Sequence, residues 1–402
     1  MKPRILIVLN RLVVGGQSID TVPLAHALKN DYEIMIVHGE KENDEEAYTD
    51  SLRGSGGITF TKIASLKRSV NPINDIVSLF SMYCVIKKFA PAIVHTHGSK
   101  PGVTGRIAAW LARVPVIIHT FHGHLFHSYY NKTGSFIIIR LERLLGRLST
   151  KVVVLSSRQQ NEITEQYKIV NASKTAMIPL GIDENKYCEN AEALRSSWRA
   201  KYQLGETCIA VCSIGRMVPV KNYKLFIEII AALPAAYNNK VKFFLIGDGD
   251  LKLELQQQLT NAGIQWSEGS SNPAARVIFT SWVTPITAVL HAMDILVLTS
   301  FNEGTPLSII EAQVCGKPVI AANTGGVRDT FLDDESGFLI ENYNTEEYIS
   351  KLQQLIENKA LRVQMGNKAG LFAKQKFSKQ AEVNAFRNLY ATCIASSGKK
   401  IE

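Results

Sequence analysis

Short apolar runs recur along the chain, each followed by a longer stretch in which apolar positions return every three or four residues. The first series reads RILIVLN (4–10), YEIMIVHG (32–39), ITFTKI (58–63), AIVHTHG (92–98), PVIIHTFHG (115–123) and KVVVLSS (151–157). Helix-like segments lie between them, among them 18–28, 75–89 and 102–112. Continuous Val/Ile/Leu runs separated by helices predict a parallel sheet covered on both faces. The pattern then restarts with CIAVCSIG (208–215), KFFLIGDG (242–249), VIFTSW (277–282), DILVLTS (294–300) and PVIAANTG (318–325). Two doubly wound α/β domains are therefore expected, over 1–183 and 184–376, with PLGID (179–183) as the hinge. A terminal segment, 377–402, holds a last helix over roughly 379–395 that can pack on either domain. Open α/β sheets bind ligands beyond the carboxyl ends of their strands, so a cleft between the domains is the expected site.

A length of 402 residues suits two domains, and a hydrophobic share of 46% suits a globular protein. No run of 18 apolar residues is present, so no membrane-spanning helix is expected. The first residues, MKPRILIVLNRLVVGG, do not read as a signal peptide, because Arg11 interrupts the apolar stretch and a Gly-Gly turn follows. The six cysteines (Cys84, Cys188, Cys208, Cys212, Cys315, Cys393) are scattered without a CxxC and read as reduced core thiols of a cytoplasmic protein.

Charge is distributed unevenly. Residues 1–183 hold 22 Lys+Arg against 14 Asp+Glu, whereas 184–402 hold 23 against 22. An acidic cluster (Glu40, Glu42, Asp44, Glu45, Glu46, Asp50) masks still more basic charge in the first half, which points to an anionic partner there. Over 51–174 there are 17 Lys+Arg against four Asp+Glu. Within that span, SFIIIRLERLLGRLST (135–150) reads as an amphipathic helix with Arg140, Arg143 and Arg147 on one stripe and Ile137, Ile138, Leu141, Leu144, Leu145 and Leu148 over the rest. Such a helix can lie on an anionic bilayer, each cation adding about 1 kcal/mol, or can pack its apolar face on the sheet with the arginines in water.

The residues best placed for chemistry lie in SFNEGTPLSIIEAQVCGKPVI (300–320). A helix is expected to start there with Thr305 as N-cap and Pro306 in the first position. Free amides and the positive end of the helix suit phosphate oxygens. Glu303 precedes the helix and Glu311 lies inside it, so one carboxylate can face a group beside the phosphates and the other can bind hydroxyls further along the ligand. Glu311 sits between Ile310 and Ala312 and requires a partner. In SIGRMVPVKN (213–222), Arg216 and Lys221 follow a strand end and offer a planar fork and a point charge for phosphate.

Three further features carry less. Gly15 and Gly16 turn the first strand into the first helix and let backbone approach a ligand, but they do not form GxGxxG, and no acid ends the second strand, so no dinucleotide is expected. Six of nine histidines fall between His95 and His127. His95 and His97 share one strand face and His119 takes the face opposite His122. Neither Cys nor carboxylate joins them in a zinc spacing, so zinc is not expected. Asp248-Gly249-Asp250 has the form of a metal-holding DxD, but Gly247 and Gly249 explain it as a turn.

The Glu303-x7-Glu311 spacing, GRMVPVKN, the Gly15-Gly16 turn, HTHGSKPG (95–102), HTFHG (119–123), PLGID, IGDGDL and GGVRD (325–329) occur in the order seen in the retaining glycosyltransferase family 4, which the chain resembles over essentially its whole length. The resemblance implies the GT-B fold, two Rossmann-like domains facing each other across a cleft. It implies that Arg216 and Lys221 bind the donor diphosphate, assisted by the amides of the Gly304–Leu307 stretch (Gly304, Thr305, Pro306, Leu307). Glu303 would contact the donor sugar, Glu311 the ribose, and Val283 the base through its backbone. His122 matches the active-site histidine near sugar and acceptor, and Gly15 and Gly16 lie close to the diphosphate. No metal or other cofactor and no protein nucleophile is implied. HTHGSKPG and HTFHG resemble enzymes that build bacterial surface polysaccharide on lipid-linked carriers. A UDP-sugar donor, a saccharide or polyprenyl-diphosphate-linked acceptor and peripheral contact with the inner face of the cell membrane are the partners so implied. Gln17-Ser18 stands where the family pattern has an acid after Gly-Gly. A nucleotide-sugar 2-epimerase of the same fold and a non-catalytic sugar-nucleotide-binding subunit are the rival readings. Nucleic acid is not expected, because the basic residues are not interleaved with aromatics.

Overall fold

A computed structural model describes residues 2–13, 16–41, 56–67, 71–123, 132–272 and 274–398. Two compact units emerge. One comprises residues 1–181 together with 379–402, and the other residues 182–378.

The first unit holds β1 (Arg4–Arg11), β2 (Glu33–Gly39), β3 (Ile58–Lys62), β4 (Ile93–His97), β5 (Val116–Thr120), β6 (Lys151–Val154) and β7 (Thr175–Met177), all parallel in the order β3-β2-β1-β4-β5-β6-β7. The chain runs outward from β1 to β3, returns to β4 and continues the other way. Right-handed crossovers therefore put helix Gly16–Leu28 on one face and helices Pro72–Phe89, Ser99–Leu111 and Lys132–Leu148 on the other. The buried clusters bear this out. Val22, Leu24 and Leu28 pack with Ile5, Ile7 and Ile34 beneath one face. Met82, Ile86 and Ala108 pack with Leu6, Val8 and Val94 beneath the other. Helix Lys379–Ser396 completes the first face, with Phe386 and Tyr390 buried against the same strands.

The second unit holds β8 (Ile209–Ile214), β9 (Val241–Ile246), β10 (Trp266–Glu268), β11 (Val277–Ser281), β12 (Ile295–Leu298), β13 (Val319–Ala322) and β14 (Gly337–Ile340), parallel in the order β10-β11-β9-β8-β12-β13-β14. The switch between the two directions falls between β1 and β4 in the first sheet and between β8 and β12 in the second. Loops that leave such a pair of strands diverge and open a crevice.

Several sequence expectations shift. Helix Pro72–Phe89 begins three residues earlier than its apolar periodicity, because Asn71 caps it by accepting from the amides of Ile73 and Asn74, and Pro72 suits the first position. The strands β7, β10 and β14 were not expected from the pattern; each is three or four residues long. The arginines of helix Lys132–Leu148 do not form a stripe of their own. Arg143 donates from Nε to the Tyr167 carbonyl at 2.9 Å, while Arg140 and Arg147 share the exposed face with Phe136, Ile137, Leu141 and Leu144. All six cysteines are unpaired, but Cys84 and Cys188 are exposed, not core.

Candidate active site

The two loops at the β8/β12 switch carry the charged residues singled out in the sequence. After β8 the chain passes Gly215 and Arg216, makes a tight turn at Pro219–Lys221, and enters helix Tyr223–Ala232. After β12 it passes Ser300 and Glu303 before helix Leu307–Val314. Hydrogen bonds stitch the loops together: Phe301 N donates to Val220 O at 2.8 Å, and the Thr299 side chain donates from Oγ1 to Asn222 O at 2.9 Å. The result brings Lys221 Nζ to 2.6 Å from Glu303 Oε1, with Glu303 only 10% exposed. Among the described residues, no acceptor takes a hydrogen bond from the Arg216 guanidinium.

Glycines make this crowding possible. Gly325 has φ +49, and a Cβ there would lie 1.6 Å from the Glu303 carbonyl oxygen. The next amide, Gly326 N, donates to Gly304 O at 2.8 Å and so holds the Glu303 loop from behind. Gly247 has φ +127, and a Cβ on it would meet Gly215 O at 2.2 Å. The IGDGD motif thus serves the packing of neighbouring loops. Asp248 is committed to the same turn, accepting from Gly249 N at 2.9 Å and from Ser281 Oγ at 3.0 Å. Val283 lies just past β11, on the same edge of the sheet.

The helix starts one residue later than its sequence indicates. Pro306, with ψ 108, is the cap, and Thr305 makes no capping bond. Pro306 lacks an N–H and donates nothing; its carbonyl accepts from Ile309 N at 3.1 Å. Among the described residues, the amides of Gly304, Thr305, Leu307 and Ser308 have no protein acceptor. The buried Ser300 Oγ and Thr305 Oγ1 likewise have no hydrogen-bond partner. A set of unspent donors on the loop after β12, with Arg216 on the loop after the adjoining β8, suits an oxyanion.

Glu311, inside the helix, has found the partner its apolar flanks require. Tyr187 Oη donates to Glu311 Oε1 at 2.7 Å, across 124 residues of sequence. Burial pushes the Glu311 carboxyl up to about 7, against the opposing effect of the Tyr187 bond. Tyr187 was missed because no local pattern marks it.

In the first unit the histidines gather at the carboxyl ends of β4 and β5. His95 and His97 share a face, their ring centroids 4.1 Å apart, and His95 bonds Tyr390 Oη through Nδ1 and Thr120 Oγ1 through Nε2, each at 2.7 Å. His97 Nδ1 lies 2.8 Å from His122 Nε2. His119 points to the other face, where Nδ1 meets Thr96 Oγ1 at 2.8 Å. Burial lowers the pKa of all four, that of His95 to about 3, and neighbouring rings add to the effect on His97. For His122 the Asp20 carboxylate opposes it. Gly16 begins the helix after β1, whereas Gly15, His124 and His127 lie outside the described residues.

Two parallel seven-stranded units with cations, acid and open amides at one switch point define the GT-B class of nucleotide-sugar enzymes, and comparison with known proteins agrees. Residues 14–186 match the profile described as Glycosyltransferase Family 4, and residues 195–371 match Glycosyl transferases group 1. The chain is 33% identical over 324 residues to the UDP-Gal:alpha-D-GlcNAc-diphosphoundecaprenol alpha-1,3-galactosyltransferase of Escherichia coli, covering 79% of this chain and 80% of that one. It is 23% identical to the capsular polysaccharide biosynthesis glycosyltransferase CapM of Staphylococcus aureus, over 84% and 86% of the two chains. The crystal structure of Anabaena Alr3699/HepE in complex with UDP and glucose has the same fold, with a TM-score of 0.79 at 21% identity over 97% of this chain and 100% of that one. The chain is a glycosyltransferase and belongs to glycosyltransferase family 4.

Proposed function

We propose that this protein is a retaining glycosyltransferase that moves a hexose-type sugar from a UDP-sugar to a saccharide carried on a polyprenyl diphosphate, in bacterial polysaccharide or glycan assembly. The observation that carries the reading is the pairing of Lys221 with Glu303 at the β8/β12 switch, with Arg216 on the same loop as Lys221 and the unspent amides of Gly304, Thr305 and Leu307 on the same loop as Glu303. The Escherichia coli relative's name specifies a UDP-sugar donor and a diphosphoundecaprenol acceptor, and the Anabaena protein has been crystallised with UDP-glucose.

Arg216 and Lys221 neutralise the donor diphosphate and the charge that grows on it as the sugar–phosphate bond breaks. With two cations in place, no metal is assigned to this step. The donor sugar is assigned to Glu303, the ribose to Glu311 and the base to the Val283 backbone, and the family pattern assigns Gly15 and Gly16 to the diphosphate. The family pattern assigns His122 to the sugar and the acceptor. The acceptor oxygen attacks the anomeric carbon on the face from which UDP leaves, and its proton passes to the departing phosphate oxygen. One C–O bond forms as another breaks, configuration is retained, and no protein nucleophile is used. An acceptor on a polyprenyl carrier puts the protein's place of work at the cytoplasmic side of the cell membrane.

The test is UDP release with a panel of UDP-sugars, with and without a polyprenyl-diphosphate saccharide, followed by proton NMR of the product linkage. Acceptor-dependent UDP release and an anomeric configuration equal to the donor's are expected. Release of UDP with formation of a free 2-epimer, or an inverted linkage, would overturn the reading.

A further inference from the structure

Apolar side chains of the first unit's outer helices are turned toward water in an ordered way. On helix Pro72–Phe89, Ser78, Met82 and Ile86 face the sheet, while Ile73, Ile76, Val77 and Phe80 are between 48% and 74% exposed. Their spacing, i, i+3, i+4, i+7, makes one continuous stripe. On helix Lys132–Leu148, Glu142 and Leu145 face inward, while Phe136, Ile137, Leu141 and Leu144 are between 37% and 61% exposed. Helix Ser99–Leu111 packs against both, so the two stripes flank it on one side of the sheet. Most of the exposed residues lie in the first halves of their helices. Helices of a parallel sheet begin at the carboxyl edge of the strands, and that edge also holds His97. A folded chain seldom leaves so many large apolar groups in water on adjoining helices unless something covers them.

Charge identifies the cover. Each helix carries one acid, and both are spent: Asp75 pairs with Lys100 Nζ at 2.6 Å, and Glu142 is buried against Arg106 Nη2 at 2.7 Å. The cations remain outside. Lys87 and Lys88 end the first helix exposed. Arg140 lies over the Phe136 ring, 5.0 Å from its centroid, and Arg147 shares the same exposed face. Apolar groups bordered by cations, with no exposed carboxylate on either helix, match the acyl and phosphate layers of an anionic bilayer. Among the described residues, no helix is long and apolar enough to cross a membrane, so the contact is interfacial.

We propose that the stripes Ile73/Ile76/Phe80 and Phe136/Ile137/Leu141/Leu144 form a two-helix surface that inserts shallowly into anionic lipid and holds the carboxyl edge of the first sheet against the bilayer. The inference deepens the reading of a lipid-linked acceptor: a sugar on a membrane carrier reaches the histidine edge without leaving the lipid interface.

The full-length protein is sedimented with phosphatidylglycerol–phosphatidylcholine vesicles and with pure phosphatidylcholine vesicles, at low and high salt. Two variants, Ile76→Ser/Phe80→Ser and Ile137→Ser/Leu141→Ser, are compared with Arg140→Ser/Arg147→Ser. Each apolar pair should lower the vesicle-bound fraction about 10-fold or more at either salt, and the arginine pair should remove the preference for anionic vesicles. Turnover on a short-chain, water-soluble acceptor should remain at the wild-type level in all three. Absence of vesicle binding, or apolar variants that bind like wild type, overturns the proposal. A lipid-free dimer broken by the same variants overturns it too, by assigning the face to a second copy. Vesicle binding is read without donor or acceptor, so its failure is separate from a failure of the transfer reading.

Discussion

Lys221 Nζ donates to Glu303 Oε1 across 2.6 Å, although 82 residues separate them in the chain. A cation assigned to the leaving diphosphate and a carboxylate assigned to the sugar therefore act as one unit. Lys221→Met should lower kcat by ~10²-fold or more, since charge stabilisation that grows in the transition state is lost. Glu303→Gln should depress transfer and leave nucleotide affinity nearly unchanged. The double variant should be little worse than Lys221→Met alone, as expected of residues in direct contact. Losses that multiply in steady-state kinetics would show two independent roles.

Arg216 makes the complementary case. Its guanidinium has no acceptor among the described residues, so it is available to a ligand at no cost in protein bonds. Arg216→Ala should cut turnover by ~10²-fold or more and shift unfolding free energy by no more than about 0.5 kcal/mol. Chemical denaturation beside kinetics checks both halves. A large loss of stability would mark the residue as structural.

The raised Glu311 carboxyl sets a pH signature. Its pKa is 4.5 in the unfolded chain and about 7 in the fold, so between those values the folded state binds more protons. The contribution of Glu311 to stability therefore falls as pH rises through that window and is level above it. Glu311→Gln should relieve a penalty of at most about 3 kcal/mol, fully expressed only above pH ~7. If the carboxylate accepts ribose hydroxyls, the wild-type affinity for free UDP should rise through the same window, beyond any rise from the phosphate seen in Glu311→Gln. Parallel pH profiles of the two proteins by calorimetry would remove the ribose assignment.

The histidine cluster predicts the opposite slope. A histidine with a depressed folded pKa leaves the unfolded chain binding more protons below pH ~6.5, so stability is lost as pH falls. For His95, lowered to about 3, the loss reaches about 2 kcal/mol by pH ~5. His95→Gln should flatten the dependence of unfolding free energy on pH between ~6.5 and ~5. An unchanged slope would show that His95 is not the group responsible.

Asp248 accepts from the Gly249 amide and the Ser281 hydroxyl, which makes it a loop-holding residue. Transfer should persist in EDTA, with at most a modest change on adding Mg²⁺. Complete loss on chelation, restored by Mn²⁺ or Mg²⁺, would bring Asp248 and Asp250 into the site.

The central strands were legible because strands buried on both faces are written as unbroken Val/Ile/Leu runs. Edge strands such as Thr175–Met177 carry no such run and went unseen. Arg216, Lys221 and Glu303 were legible as strand-end residues, since a parallel sheet delivers all its carboxyl ends to one side. What joins them was not. The Tyr187–Glu311 bond and the packing of Gly325 on Glu303 depend on which distant loops become neighbours. The outer face of helix Pro72–Phe89 shows a further limit: periodicity finds apolar stripes but does not say which faces the sheet, and here Ile76 and Phe80 do not.

The return of helix Lys379–Ser396 to the first unit makes the chain a nested one. Residues 182–378 are an insert whose two ends meet: Ile182 N donates to Phe377 O at 2.7 Å, and Gly181 packs so closely on Lys379 that a Cβ would lie 2.8 Å from its Cα. During synthesis the insert is complete while its host still lacks Phe386 and Tyr390, and His95 still lacks its hydroxyl partner. The half made first thus finishes last. For exchange between relatives, residues 182–378 are a cassette with adjacent splice points at 181/182 and 378/379, whereas the first unit can be moved only as two pieces.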